Sequence, residues 1–326
     1  MIVPQYWAEA RLQHRAQRRQ ITVRRSGWSD ESQAAAQVHA ETRAREALDR
    51  LISGERLPRF EHREAYNGAD GVPIREEIVE RHGEDVVTRN SYGALCLNTP
   101  DVLFADIDFV DNGPSLSLRR WVYRPLILLA VLSGLLRESW RDGVVATLAA
   151  MVLAWWISRL IHRWQWRQHG GPEGRALARI DHFLSSRHDW RLRRYRTPAG
   201  LRLLAVHRTF EPNEPDVTTC FEALGADPVF ALMCQRQHCF RARVSPKPWR
   251  IGIAAHLRPR PGVWPIADER LPLRRRWVAE YEQVARGYAA CRFEGEHGTG
   301  QVDPRADEVR RLHDALCQAE RELPIA

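Results

Sequence analysis

Two aspartates, Asp106 and Asp108, stand at i and i+2 in the apolar run Leu103-Phe-Ala-Asp-Ile-Asp-Phe109. On a strand that spacing sends both carboxylates to one face, where they can share a divalent cation or hold ions that bridge phosphate oxygens. Each acid is costly to bury alone, so a run this apolar requires a partner for both: a metal, an arginine or solvent. His207 closes a second apolar run, Leu203-Leu-Ala-Val-His207, which follows the turn Thr197-Pro-Ala-Gly-Leu-Arg202. An imidazole there can meet a phosphate, move a proton or simply pack. Arg241, Arg243, Lys247 and Arg250 form a third group within Phe240-Arg-Ala-Arg-Val-Ser-Pro-Lys-Pro-Trp-Arg250. With Arg202 they suit a phosphate clamp, or else a basic sheet edge.

The elements that must position these residues read as α+β. Ser29 and Ser32 precede a helical pattern that runs to Gly54, and residues 1–65 are expected to be a charged, helical segment. Two β-like runs between Val86 and Phe109 flank the turn Asn98-Thr99-Pro100-Asp101. Further on, a helix is predicted over Arg175–Ser186, a strand pair over Trp190–Thr197 and Leu201–Thr209, helices over Asp216–Leu224 and Pro228–Gln237, and a strand over Phe240–Ser245. The predicted layout is one cytoplasmic α+β domain, in halves 66–118 and 167–257, interrupted by a transmembrane helical hairpin at 119–166 and followed by a helical region at 258–326.

The hairpin rests on two charge-free runs, Pro125–Leu136 and Gly143–Ser158, joined by Arg-Glu-Ser-Trp-Arg-Asp. With their flanks these approach the ~20 residues that cross a hydrocarbon core. Six of the 12 tryptophans lie here, several at segment ends where an indole can keep its N–H in water. Arg119, Arg120 and Arg124 precede the first run, and Arg159, His162, Arg163 and Arg167 follow the second. By the positive-inside rule both flanks are expected to face the cytoplasm, which predicts a bacterial inner-membrane protein with lipid as a partner.

The whole chain adds bounds. Net charge is +8, which suits nucleotide, nucleic acid or anionic lipid. Of 49 basic residues only Lys247 is a lysine, a bias that reads first as GC-rich coding. Six scattered cysteines without a C-x-x-C pair read as free thiols, including Cys234 and Cys239 around His238.

Taken in order, the D-x-D strand, the helix, the Gly-turned strand pair ending in histidine and the basic strand resemble the archaeo-eukaryotic primase-polymerase superfamily over roughly residues 86–250. That resemblance implies Asp106 and Asp108 as ligands of catalytic Mg²⁺ or Mn²⁺, His207 as a contact to the incoming nucleotide's phosphates, and Arg243 and Lys247 as phosphate binders. Asp106-Ile-Asp-Phe-Val110 is also similar to the opening motif of haloacid-dehalogenase-type phosphatases, in which the first acid is nucleophile and the second general acid. The later acidic pair which that family requires corresponds only to Asp268-Glu269. Two functions are therefore expected to compete: divalent-metal chemistry on a nucleotide or nucleic acid, and a non-catalytic membrane-bound scaffold or interaction protein.

Overall fold

A computed structural model of the chain describes residues 3–16, 19–61, 72–109, 113–136, 140–168, 170–260, 262 and 264–326. It divides into two compact units, one of Met1–Ile107 with Phe183–Ala326 and one of Asp108–His182. The first is α+β with antiparallel pairing throughout the registers described, as the sequence predicts.

The chain opens with a hairpin of two long strands, β1 (Tyr6–Ala16) and β2 (Arg19–Ser29), where the sequence predicts helix. Arg, Gln and Ala are good helix formers, but intrinsic propensity is worth only tenths of a kcal/mol per residue, and eleven paired residues with a helix across one face override it. That helix is α1 (Gln33–Ile52), capped by the Ser32 hydroxyl as expected. Its buried stripe is Ala36, Ala40, Ala44 and Ala47, which lets the helix backbone come close to the sheet. At Gly27 the approach is closest: a Cβ there would lie 2.1 Å from the Ala40 nitrogen and 2.4 Å from the Ala36 oxygen. Gly27→Ala is therefore expected to force helix and hairpin apart and lower stability by about 1–3 kcal/mol, measured by chemical denaturation.

Two four-stranded sheets follow. One has the order β3 (Glu77–His82), β4 (Asp85–Arg89), β5 (Leu95–Thr99), β9 (Phe240–Arg243). The other runs β10 (Arg292–Gly298), β7 (Arg191–Arg196), β8 (Gly200–Ala205), β6 (Phe104–Asp108). Strand β10 lies where the sequence predicts only a loop between the two helices of residues 258–326. It is held by charge across the ladder: Glu294 and Glu296 face the arginines of β7, with Arg191 and Arg193 both on Glu296. Gly295, at φ 149°, sits where the register shifts. Among the described residues beyond β8 lie the α-helices α5 (Pro215–Leu224), α6 (Pro228–Gln237), α7 (Leu271–Ala285) and α8 (Pro304–Cys317).

The second unit holds α2 (Leu116–Leu136), α3 (Trp140–Gln168) and most of α4 (Gly171–Ser185). Helices α2 and α3 pack on each other. Among the described residues only α3 is long and apolar enough to cross a membrane by length and composition. The sequence predicts two spans; α2 falls short because Arg119, Arg120 and Arg124 occupy its first turns. They leave a 12-residue charge-free run, Pro125–Leu136, which rises about 18 Å against a core of about 30 Å. The seam between the helices is built of small side chains. Ala130, Ala150, Ala154 and Ser158 are the buried residues, and the Gly134 Cα would lie 3.3 Å from a Cβ on Gly143. The large side chains point away: Leu128, Leu132, Leu135, Val145, Val152 and Trp156 are all about half exposed or more.

Candidate functional site

Each residue singled out for chemistry has a definite place. The Arg202 guanidinium, fully buried on β8, grips Asp106 with two bonds, Nε to Oδ1 at 2.7 Å and Nη2 to Oδ2 at 3.0 Å. Its remaining nitrogen, Nη1, donates to the Arg243 carbonyl at 2.7 Å and lies 3.4 Å from His313 Nε2. Asp106, Arg202 and the β9 backbone thus form one knot. A divalent cation on Asp106 would sit against a fixed guanidinium, so the carboxylate fits Mg²⁺ or Mn²⁺ poorly. Asp108 lies at the exposed end of the same strand.

Arg241 does not line an open basic edge. It is buried on β9, where Nη2 meets both Glu76 oxygens at 2.7 Å and Nη1 donates to Asn98 Oδ1 at 2.9 Å. Thr88 donates to Glu76 and accepts from Asn98, so each polar group of the network has a partner. Burial works against the Arg241 charge, but the neighbouring anions, Glu76 among them, raise its pKa and keep it a cation. Arg243 turns to the Ser245 carbonyl at 2.6 Å, and Lys247 lies over the Trp249 ring. Arg250 is in the short 3₁₀ turn Pro248–Ile251.

His207 packs beneath aromatic rings, 4.6 Å from Trp190 and 5.3 Å from Phe210 between centroids. Behind it Gly300 leaves no room for a side chain, since a Cβ there would be 2.0 Å from the Asp189 oxygen. Desolvation lowers the His207 pKa. Its unfolded form then binds the proton more readily, so this histidine withdraws stability as pH falls through the ordinary imidazole range. His207→Phe is expected to flatten part of that acid-side loss, read as the difference in denaturation midpoint between pH 7 and pH 5.

The residues that do converge on a chemically capable cluster are ones the sequence reading passed over. Cys291, His313 and Cys317 are fully buried, and one ligand atom from each lies within 4.8 Å of the others. His313 Nε2 is 3.4 Å from the Cys317 sulfur and 3.9 Å from that of Cys291, while Nδ1 is 3.0 Å from Asp314 Oδ1. Phe104 and Tyr195 rings wall the imidazole, and Arg193 on β7 holds the other Asp314 oxygen at 3.0 Å. Hydrogen bonding from Cys317 pulls the Cys291 thiol well below its usual range against the opposing effect of burial. For His313, burial acts downward, but the Cys291 sulfur and Asp314 outweigh it and raise the pKa. The grouping can hold a metal ion.

A signal for it was present in the sequence. His313 and Cys317 are four apart on a helix and so share a face. Cys291 is distant in sequence, and only the pairing of β10 beside β7 brings it to that face. Cys234 and Cys239, near His238, are buried thiols instead. No protein-family model, curated protein or solved structure matches the chain.

Proposed function

We propose that this protein is a membrane-anchored, non-catalytic scaffold or interaction protein, held in the bilayer by α3 with the shorter α2 packed against it, and with its α+β unit on the cytoplasmic side of a bacterial inner membrane. The observation that carries this reading is the inverted packing of the helical pair. A helical hairpin in water buries its leucines and exposes its small polar side chains. Here alanines, glycines and a serine form the seam while leucines, valines and tryptophans face outward. That is the arrangement suited to lipid, where large apolar side chains meet acyl chains and small ones let backbones approach. Three hydroxyls in the apolar part of the pair are also satisfied within their own helices: Ser133 donates to Ala130, Thr147 to Gly143 and Ser158 to Ala154.

The arginines that shorten the apolar part of α2 are compatible with the same reading. Arg119, Arg159 and Arg163, with Tyr123, Trp155 and His162, line one cavity of about 240 Å³ at the basic end of the pair. Side chains of this kind reach the headgroup layer and favour anionic phosphates. The internal engagement of Asp106 and Arg241, and the packing of His207, support the scaffold reading over divalent-metal chemistry on a nucleotide.

Membrane fractionation tests the proposal. The full chain is expected to stay in the pellet through carbonate and high-salt washes. Replacing Leu128, Leu132, Val145 and Val152 together by Gln is expected to release it to the supernatant. A wild-type chain recovered in the carbonate supernatant would overturn the reading.

A further inference from the structure

We propose that Cys291, His313 and Cys317 form a binding site for one soft divalent cation of the zinc type, which fastens α8 to the sheet edge at β7 and β10. Three independent features point to this ligand. The first is spacing. Bond lengths of about 2.3 Å to sulfur and 2.0–2.1 Å to nitrogen place tetrahedral ligand atoms roughly 3.5–3.8 Å apart. The nitrogen–sulfur separations here are 3.4 and 3.9 Å.

The second feature is orientation. Asp314 takes the Nδ1 side of His313 and is itself held by Arg193, which leaves Nε2 facing both sulfurs. The other group on that nitrogen is Arg202 Nη1 at 3.4 Å, a long contact that a cation would displace while Arg202 keeps Asp106 and the Arg243 carbonyl. A carboxylate behind a metal-binding histidine is the usual way of setting its direction. The third is donor chemistry: two sulfurs and one imidazole nitrogen in a dry site select zinc-like cations over the oxygen-seeking Mg²⁺ and Mn²⁺. Charge also balances, because two thiolates offset the cation while Asp106 neutralises Arg202 and Asp314 neutralises Arg193. Cation binding displaces to solvent the protons held among the two sulfurs and His313 Nε2, and changes no oxidation state. Among the described residues no fourth His, Cys, Asp or Glu joins the group.

The test uses the full detergent-solubilised chain, purified under reducing conditions without chelator. Its zinc content by mass spectrometry is expected to approach one per chain. Co²⁺ added to the metal-free protein is expected to give a sulfur-to-cobalt charge-transfer band. Cys291→Ser and His313→Gln should each lower bound zinc at least about tenfold, and Asp314→Asn should weaken zinc affinity about 10–100-fold while keeping the cobalt band. Cys220→Ser, at a buried thiol elsewhere, should leave zinc content unchanged. Trace zinc in the wild type together with no cobalt band overturns the proposal, as does a Cys291–Cys317 disulfide in the purified protein. If the variants fail to fold, the cobalt titration of the wild type decides alone.

Discussion

Arg241→Met is expected to destabilise the α+β unit by about 3–5 kcal/mol, and Glu76→Leu with Arg241→Met to regain much of that loss. Glu76 and Arg241 are 2% and 4% exposed, so removing one partner strands a charge in a dry sheet interior. Removing both substitutes apolar volume for two desolvated ions, which is frequently near neutral. Asn98 and Thr88 then each lose one partner, so recovery is expected to be incomplete. Urea unfolding followed by tryptophan fluorescence reads the three midpoints. If Arg241 instead served as an exposed phosphate ligand, its removal would leave the midpoint within about 0.5 kcal/mol of wild type.

The second large effect separates the two aspartates. Asp106→Asn is expected to lower stability by about 2–3 kcal/mol, reduced from the value for a fully buried pair because the acid itself is partly exposed. Asn keeps one acceptor oxygen but no charge, so the Arg202 guanidinium, only 2% exposed, loses its neutralising partner. Asp108→Asn, at the exposed strand end, is expected to change stability by less than about 0.5 kcal/mol. Two ligands of one cation would behave alike, each abolishing Mg²⁺ or Mn²⁺ binding without much effect on the fold. Denaturation and calorimetry on both variants distinguish these outcomes.

Much of the fold could be read from local pattern. Ser32 as a cap, the turn at Pro198-Ala199-Gly200 and the start of α6 at Pro228 all follow from chemistry within a few residues. Strand β6 also lies where the apolar run with its two acids places it. The errors come from long-range partners. Residues 6–29 form a hairpin because pairing and the alanine face of α1 outweigh weak helix preference. Arg241 is buried because Glu76, 165 residues away, neutralises it, and nothing beside Phe240 announces that partner. The same distance effect hid the cysteine cluster, whose helical half was visible in His313 and Cys317. In the helical pair the apolar runs were legible, but the small-residue seam emerges only when α2 and α3 are laid together.

Sidedness of the α2–α3 pair is the most direct measure of the proposed membrane anchoring. The native cysteines are buried, so single introduced cysteines report cleanly. A membrane-impermeant maleimide applied to intact spheroplasts should label Asp142→Cys, near the start of α3, and should reach Ser53→Cys in the α+β unit only after lysis. Labelling of Asp142→Cys that likewise requires lysis would contradict α3 crossing the bilayer.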